Sequence, residues 1–441
     1  MNRVKSILEA KTVSAHEAAA SIENQSNLIL GMGVAMPPAF MAALADRART
    51  RDRLDRLKIY YMHASRAAAE TILQPDLMDV FSLNCLFMSV HDRAHADAGR
   101  ALGKVWIHFI PSMFHQVGRL LTERVEPECF VTTVSPMDRS GHFSLGTNAD
   151  YAGDVVRKAK RVIVEINPNM PRTFGENMLH VSQIDMAIEH EAPLMELVSP
   201  TPTEADIAIG KRIAEHIPDE ATLQMGVGAV PSAVTCELMN HRRLGLHSEL
   251  LSPSLIDLIR RGVITGESKW LMRYKHVFTL ALGDADMYDF MNDNPSIVGY
   301  PASWVNNPAV IRKNRRMISV NAALQLDLTG QINSESLDGR QFSGTGGQLD
   351  FVRGAYLAPD GKSFVALHST ARKGTISRIV PQLNETTITD PRVDVHHVVT
   401  EHGIANLKGL SLTERAHAIL AIADPAFREE LSASARKLGL I

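Results

Sequence analysis

A carboxylate that follows a glycine turn and a short strand can act as a nucleophile, and Glu249 stands in such a place. The stretch Thr222 to Glu249 reads TLQMGVGAVPSAVTCELMNHRRLGLHSE. Thr222 to Met225 has the character of a strand that breaks at Gly226-Val227-Gly228. An apolar segment, Ala229 to Met239, is entered through Pro231 and Ser232, as a helix start commonly is. Leu244 to Leu246 reads as a second short strand, and the chain lands on His247-Ser248-Glu249. In open α/β sheets ligands bind at the carboxyl ends of strands, so the turn and Glu249 can face one crevice. Beside backbone N–H groups and a helix N-terminus, such a carboxylate can accept an acyl group.

Other stretches compete with it or could serve it. Ser343-Gly344-Thr345-Gly346-Gly347-Gln348 places three glycines in four positions, which lets backbone N–H donors approach an oxyanion. The same stretch also suits a hairpin tip, although Phe351 and Val352 argue for anchorage in a core. Gly31-x-Gly33 and Gly226-x-Gly228 lack both the third glycine of a dinucleotide fingerprint and the Lys-Ser/Thr ending of a Walker loop. Each is a tight turn that can still present N–H groups to an oxygen. Ser135-Pro136-Met137-Asp138 and Asn167-Pro168-Asn169 follow strands, where function and turn shaping are both common. His396, His397, Glu401 and His402 look like metal ligands at first sight, but no HExxH spacing is present and a strand pattern runs through them. Glu401-His402-Gly403 is the rival acid at a strand end. A single glutamate is most often a surface acid, so only its setting raises Glu249 above that base rate.

The elements that position these groups alternate between strand and helix. An opening helix is expected over about residues 3 to 22, then a strand at 28–30, a helix at 40–48 and a strand at 57–62. This repeats the order of strand, glycine turn, proline, helix and strand found at 222–249. Further strands are expected at 105–110, 129–134 and 161–166, with helices at 113–122 and 149–159. The proline-rich stretch from Glu189 to Thr203 marks a boundary near residue 200, giving domains 1–200 and 201–441. Beyond it come helices at 204–216, 254–261, 412–422 and 426–438. Strands are expected at 277–281, 316–320, 363–367, 375–379 and 395–399.

With 441 residues the chain holds two or three domains, and its 45% hydrophobic and 22% charged residues are those of an ordinary globular protein. A formal charge of −3 gives no electrostatic reason to expect nucleic acid. Cys85, Cys129 and Cys236 are scattered, which fits reduced cytosolic thiols better than disulfides or zinc. No secretory h-region opens the chain and no uncharged run approaches the ~20 residues of a membrane span, so a cytoplasmic location is expected.

Several motifs, in order, carry a resemblance. They are SPMDRSGHFSLG (Ser135 to Gly146), EINPNMPRTFGENMLHVSQID (Glu165 to Asp185), MGVGAVPSAV, GLHSELLSP around Glu249, NAALQLDLTGQINSES (Asn321 to Ser336), SGTGGQLDF and VVTEHGIANLKG (Val398 to Gly409). Over nearly its whole length the chain resembles the acetyl-CoA hydrolase/transferase family of class I CoA-transferases, and within it the 4-hydroxybutyrate CoA-transferase group. The resemblance implies two tandem open α/β domains with mostly parallel sheets and an active site between them. It also implies ping-pong transfer of CoA between short-chain acids such as 4-hydroxybutyrate, butyrate, acetate and propionate. The substrates are then acyl-CoA and a carboxylate, with coenzyme A as the carrier, no metal, and a homodimer or larger homo-oligomer. The family nucleophile maps onto Glu249, which would pass through an anhydride and a glutamyl-CoA thioester; Glu401 becomes structural or supporting. By the same resemblance Gly226, Val227, Gly228, Ala229 and Val230 line the thioester end of CoA. Val227 and Asn321 lie near one oxyanion position, Gly346 and Gly347 supply the other, and Lys373 meets the CoA tail. Gln325 stands where the family usually has an acid, and the segment around Arg392 departs from the family pattern. Two other readings stand beside this one: an acyl-CoA hydrolase using the same glutamate, and a non-catalytic small-molecule sensor on the same fold.

Overall fold

The computed structural model describes residues 3–197 and 201–441. Contacts divide the chain into two units. The first runs to Leu197 and takes in Phe278–Trp304; the second closes its opening stretch at Val277 and resumes over Val305–Ile441. The boundary expected near residue 200 falls at 198–200, outside the described residues.

The first unit is built on β1 (Asn27–Leu30), β2 (Leu57–Tyr61), β3 (Phe81–Cys85), β4 (Ile107–Phe109), β5 (Cys129–Val134), β6 (Arg161–Ile166) and β7 (Met186–Glu189). They form one parallel sheet in the order β7-β6-β5-β1-β2-β3-β4. Unbroken apolar runs suit such a sheet because both its faces are covered. Leu28 and Leu30 enter one core with Phe40 and Leu44 of helix α1 (Pro38–Thr50), while Ile29 enters the other with Phe130 and Tyr151. Glu165 of β6 is fully buried, and its carboxylate accepts the N–H groups of Ala39 and Phe40 at 3.2 and 2.9 Å. It caps the start of α1, and burial pushes its pKa up to about 7.

Two expected helices are altered. Residues 3 to 22 form two helices, Arg3–Lys11 and Ala15–Ala20, because Ser14 and Glu17 make a capping box that starts a new one. The helix expected at 149–159 shrinks to Ala152–Val155. Helical bonds still bracket it, from Gly153 N–H to Ala149 O (2.8 Å) and Ala159 N–H to Val155 O (2.9 Å), but tighter three-residue turns at Asp154, Arg157 and Lys158 break the regular repeat. The free N–H groups of Ala149 and Asp150 donate to Thr279 O at 3.0 and 3.1 Å. The returning segment is held further by Leu197 N–H on Gly283 O (2.8 Å), Tyr288 O–H on Met195 O (2.7 Å) and Ala302 N–H on Asp150 O (2.9 Å).

The second unit is built on β8 (Thr222–Met225), β9 (Gly245–Leu246), β10 (Met317–Ala322), β11 (Lys362–Ala366), β12 (His397–Thr400) and β13 (Gly403–Asn406). The order is β9-β8-β10-β11-β12-β13, parallel except for the last pair. Its chief helices here are α2 (Ala229–Glu237) and α3 (Gln348–Leu357). After β8 the chain places β9 on one side and β10 on the other. The loops after β8 and β10 therefore flank a topological switch point, where an α/β sheet opens a crevice. The two tandem α/β units and their mostly parallel sheets follow the expected fold class. No helix among the described residues is long and apolar enough to cross a membrane.

Candidate active site

The path of β9 continues beyond its last ladder pair. His247 N–H donates to Leu223 O at 3.0 Å, and Met225 N–H reaches Ser248 Oγ at 3.4 Å. Glu249 is thereby set beside the end of β8, where Gly226 turns the chain. Gly226 N–H donates to Val320 O at 2.8 Å, and Gly228, at φ +121°, is the residue before α2. Ala229 and Val230 form the first turn of that helix, and the Val227 side chain is exposed.

Two groups converge on the Glu249 carboxylate. Asn306 Nδ2 donates to Oε2 at 2.5 Å, and the N–H of Gly347 donates to the same carboxylate. Gly346 turns the loop at φ +54°, and Gly347 leads directly into α3. A Cβ on Gly347 would lie 2.0 Å from both Glu249 Oε2 and Asn306 Nδ2, so any side chain there would push those two groups from their places. Burial pushes the Glu249 pKa up to about 7, with a further rise from Asp350; Asn306 and Gly347 act in the opposite direction.

The preceding histidine explains how Asn306 is placed. His247 is fully buried and its Nε2–H donates to Val305 O at 2.8 Å, fixing the backbone next to Asn306. Burial and the nearby Lys269 hold its pKa down to about 3, so the ring is neutral. Lys269 itself lies beneath β9, its Nζ donating to Leu246 O at 2.7 Å and Lys275 O at 2.8 Å. Burial lowers its pKa to about 7.

The glycine loop rests on a polar scaffold. Phe342 N–H donates to Glu335 O at 2.7 Å, and Thr345 Oγ1 lies 3.3 Å from Glu335 Oε2. Gln348 Nε2 donates to Ser334 Oγ and to Asp390 Oδ2, at 2.8 and 2.7 Å. Burial raises the Asp390 pKa to about 7.

The structure thus brings Glu249 and Gly347 together, with Gly346 in the adjoining turn. It groups Asn321 with Gly226, since a Cβ on Gly226 would lie 3.0 Å from Asn321 Oδ1. The Asn321 amide is bound within the unit: Nδ2 donates to Gln224 Oε1 and Ser319 Oγ, and Oδ1 accepts from Gln224 Nε2. Lys373 is exposed at φ +57° on the tip between strands Thr370–Ala371 and Ile376–Ser377. The rival Glu401 is occupied, its carboxylate accepting Ser369 N–H (2.9 Å) and Oγ–H (2.6 Å). His396 and His397 pack ring against ring, with centroids 3.9 Å apart. Gln325 accepts from Asn333 Nδ2 at 3.1 Å. Asn306 and Lys269 escaped the sequence reading, for neither sits in a motif whose spacing points to Glu249.

A buried carboxylate at a switch point, beside an amide and a backbone N–H donor, has the parts that acyl or CoA transfer needs, and comparison makes the class definite. The acetyl-CoA hydrolase/transferase N-terminal domain matches residues 1–199, and the C-terminal domain matches residues 283–435. The chain is 40% identical over 427 residues to the 4-hydroxybutyrate coenzyme A transferase of Clostridium kluyveri, covering 96% of this chain and 97% of that one. It is 39% identical to the succinyl-CoA:cyclohexane-1-carboxylate CoA transferase of Geobacter metallireducens, covering 98% and 96%. The crystal structure of RipA from Yersinia pestis superposes with a TM-score of 0.96 at 44% identity, covering 99% of this chain and 100% of that one. The chain belongs to the acetyl-CoA hydrolase/transferase family, and it is a CoA-transferase.

Proposed function

We propose that Glu249 is the nucleophile of a ping-pong transfer of CoA between a short-chain acyl-CoA and a carboxylic acid of the 4-hydroxybutyrate, butyrate, acetate or propionate type. One oxygen of the carboxylate attacks the acyl carbonyl carbon; the C–S bond breaks and CoA leaves as its thiolate. The resulting acyl-glutamyl anhydride is attacked at the glutamyl carbon by that thiolate, releasing the first acid and leaving a glutamyl-CoA thioester. The acceptor carboxylate then reverses both steps. Charge balances throughout: one carboxylate enters and one leaves, with no net proton or electron transfer.

The observation that carries this reading is the enclosure of Glu249 by Asn306 and Gly347 at the end of the strand path. Partial desolvation strips water from a weak nucleophile, and positioned N–H donors meet charge as it develops. In the same reading Gly226 to Val230 take the thioester end of CoA, Val227 and Asn321 serve the acyl oxyanion, Gly346 and Gly347 serve the glutamyl one, and Lys373 meets the CoA tail. Asn321 must exchange a bond to Gln224 or Ser319 to do so. The protein acts as a homo-oligomer in the cytoplasm.

The test is intact and peptide mass spectrometry after mixing with acetyl-CoA or butyryl-CoA, with borohydride trapping in parallel. Covalent CoA on the Glu249 peptide, absent in Glu249→Ala, is the expected result, and kcat of that variant should fall on the order of 10⁴-fold or more. Adduct on Glu401 instead would reject the assignment. Free CoA released without any carboxylate acceptor would make the protein a hydrolase.

A further inference from the structure

Two carboxylate oxygens cannot share one task in the proposed reaction: one must form the new bond and the other must bear the charge. The geometry tells them apart. Oε2 is wedged where Asn306 Nδ2 donates at 2.5 Å and where a Cβ at position 347 would come within 2.0 Å. Attack then falls to Oε1, and Oε2 remains as the carbonyl oxygen of the anhydride and of the thioester. When the CoA thiolate adds to the glutamyl carbon, the negative charge of the tetrahedral intermediate collects on that retained oxygen.

Asn306 is built for this oxygen and little else. It is fully buried, and its Oδ1 has no hydrogen-bond partner among the described residues. An orphaned buried acceptor is destabilising, and turning the amide over would not relieve it, since Oδ1 would then face a carboxylate. The amide is oriented from behind: His247 Nε2–H holds Val305 O, the residue before it. The conformation therefore favours one contact, with the retained oxygen, at the expense of the amide's own satisfaction.

We propose that Asn306 is a catalytic residue, the side-chain oxyanion donor to Oε2 of Glu249, acting beside the N–H of Gly347 when the glutamyl carbon becomes tetrahedral. The inference rests on Glu249 as the nucleophile. The histidine of the His-Ser-Glu triplet becomes a positioning residue, acting through Val305.

The experiment follows formation of the glutamyl-CoA thioester in a single turnover with acetyl-CoA, by rapid quench and intact mass, for wild type, Asn306→Ala and Asn306→Asp. Asn306→Asp keeps the volume but replaces the donor by an acceptor. Both variants are expected to form the thioester about 10²- to 10³-fold more slowly, the usual loss for one oxyanion donor, with the KM for acyl-CoA within about two-fold of wild type. In Asn306→Ala the lost donor also removes a bond to the charged carboxylate, so its acidic limb of kcat/KM should move to higher pH; Asn306→Asp adds a carboxyl coupled to Glu249 and is read by rate alone. In the alanine variant the titratable groups around the site, Asp350 on α3 and His247 with its neighbour Lys269, are unchanged. Thioester formation at the wild-type rate in both variants would overturn the proposal. So would loss of CoA binding or of cooperative unfolding along with activity, which would make Asn306 structural. If wild type itself forms no adduct on Glu249, it is the nucleophile assignment that fails.

Discussion

At the scale of single residues, Glu249 is held where its own ionisation is opposed. An attacking carboxylate must be charged, so kcat/KM should rise with pH through an apparent pKa near 7 and then level off. A profile from about pH 5.5 to about pH 8.5 measures it; a flat profile over that range, as an ordinary glutamate with a pKa of about 4.3 would give, would contradict the enclosure described. The same shift has a structural cost. The folded pKa lies above the unfolded value, so Glu249 lowers stability progressively as pH rises from about 4.5 to about 7 and keeps that cost above it. Gly347→Ala is the sharpest steric probe, since the added methyl would meet two polar atoms at 2.0 Å. We expect at least about a 100-fold loss of kcat, read by steady-state exchange assay. Glu249 was legible in the sequence because a glycine turn, a strand and the His-Ser-Glu triplet lie within one short stretch. Asn306 was not: its partner is 57 residues away, and nothing in SWVNNPAV marks one asparagine above the other.

At the scale of elements, the site depends on a very short edge strand. β9 has two ladder residues, and Lys269 reinforces it by joining Leu246 O to Lys275 O. Replacing the ammonium by a thioether leaves two buried carbonyls without that donor, so Lys269→Met should cost about 1–3 kcal/mol. The sign with pH is definite. The folded pKa is depressed to about 7, so between there and the unfolded value of 10.5 the unfolded chain binds more protons and wild-type stability gains from Lys269 as pH rises. The gap between wild type and Lys269→Met in urea unfolding should therefore widen from about pH 7 to about pH 9; a constant gap would mean that the buried amine stays charged. Helical and strand periods gave most elements correctly, including α2 and the strands around it. They failed where a side chain or a tighter turn intervenes. Ser14 and Glu17 restart the opening helix, and three-residue turns at Arg157 and Lys158 break the helix expected at 149–159.

At the scale of the whole molecule, the recurrence of strand, glycine turn and helix in both halves was legible, because each half obeys its own local pattern. The detour through Phe278–Trp304 was not, since Val277 and Phe278 read as one continuous strand while belonging to different units. A fragment of residues 201–441 would carry that detour without its own core. Phe278, Tyr288, Met291 and Ile297 are buried in the intact protein, and their exposure should make the fragment aggregate on expression. Its recovery as a soluble, cooperatively unfolding monomer would show that the second unit tolerates the detour. The detour also sets a timetable for synthesis. The first unit lacks its last piece until residue 304 has been made, 304 − 197 = 107 residues after Leu197. At about 5–20 residues per second this is a wait on the order of 5–20 s, during which β8, α2, β9 and Glu249 are translated first. An incomplete first unit must therefore hold together on the ribosome while the strands that carry the nucleophile emerge behind it.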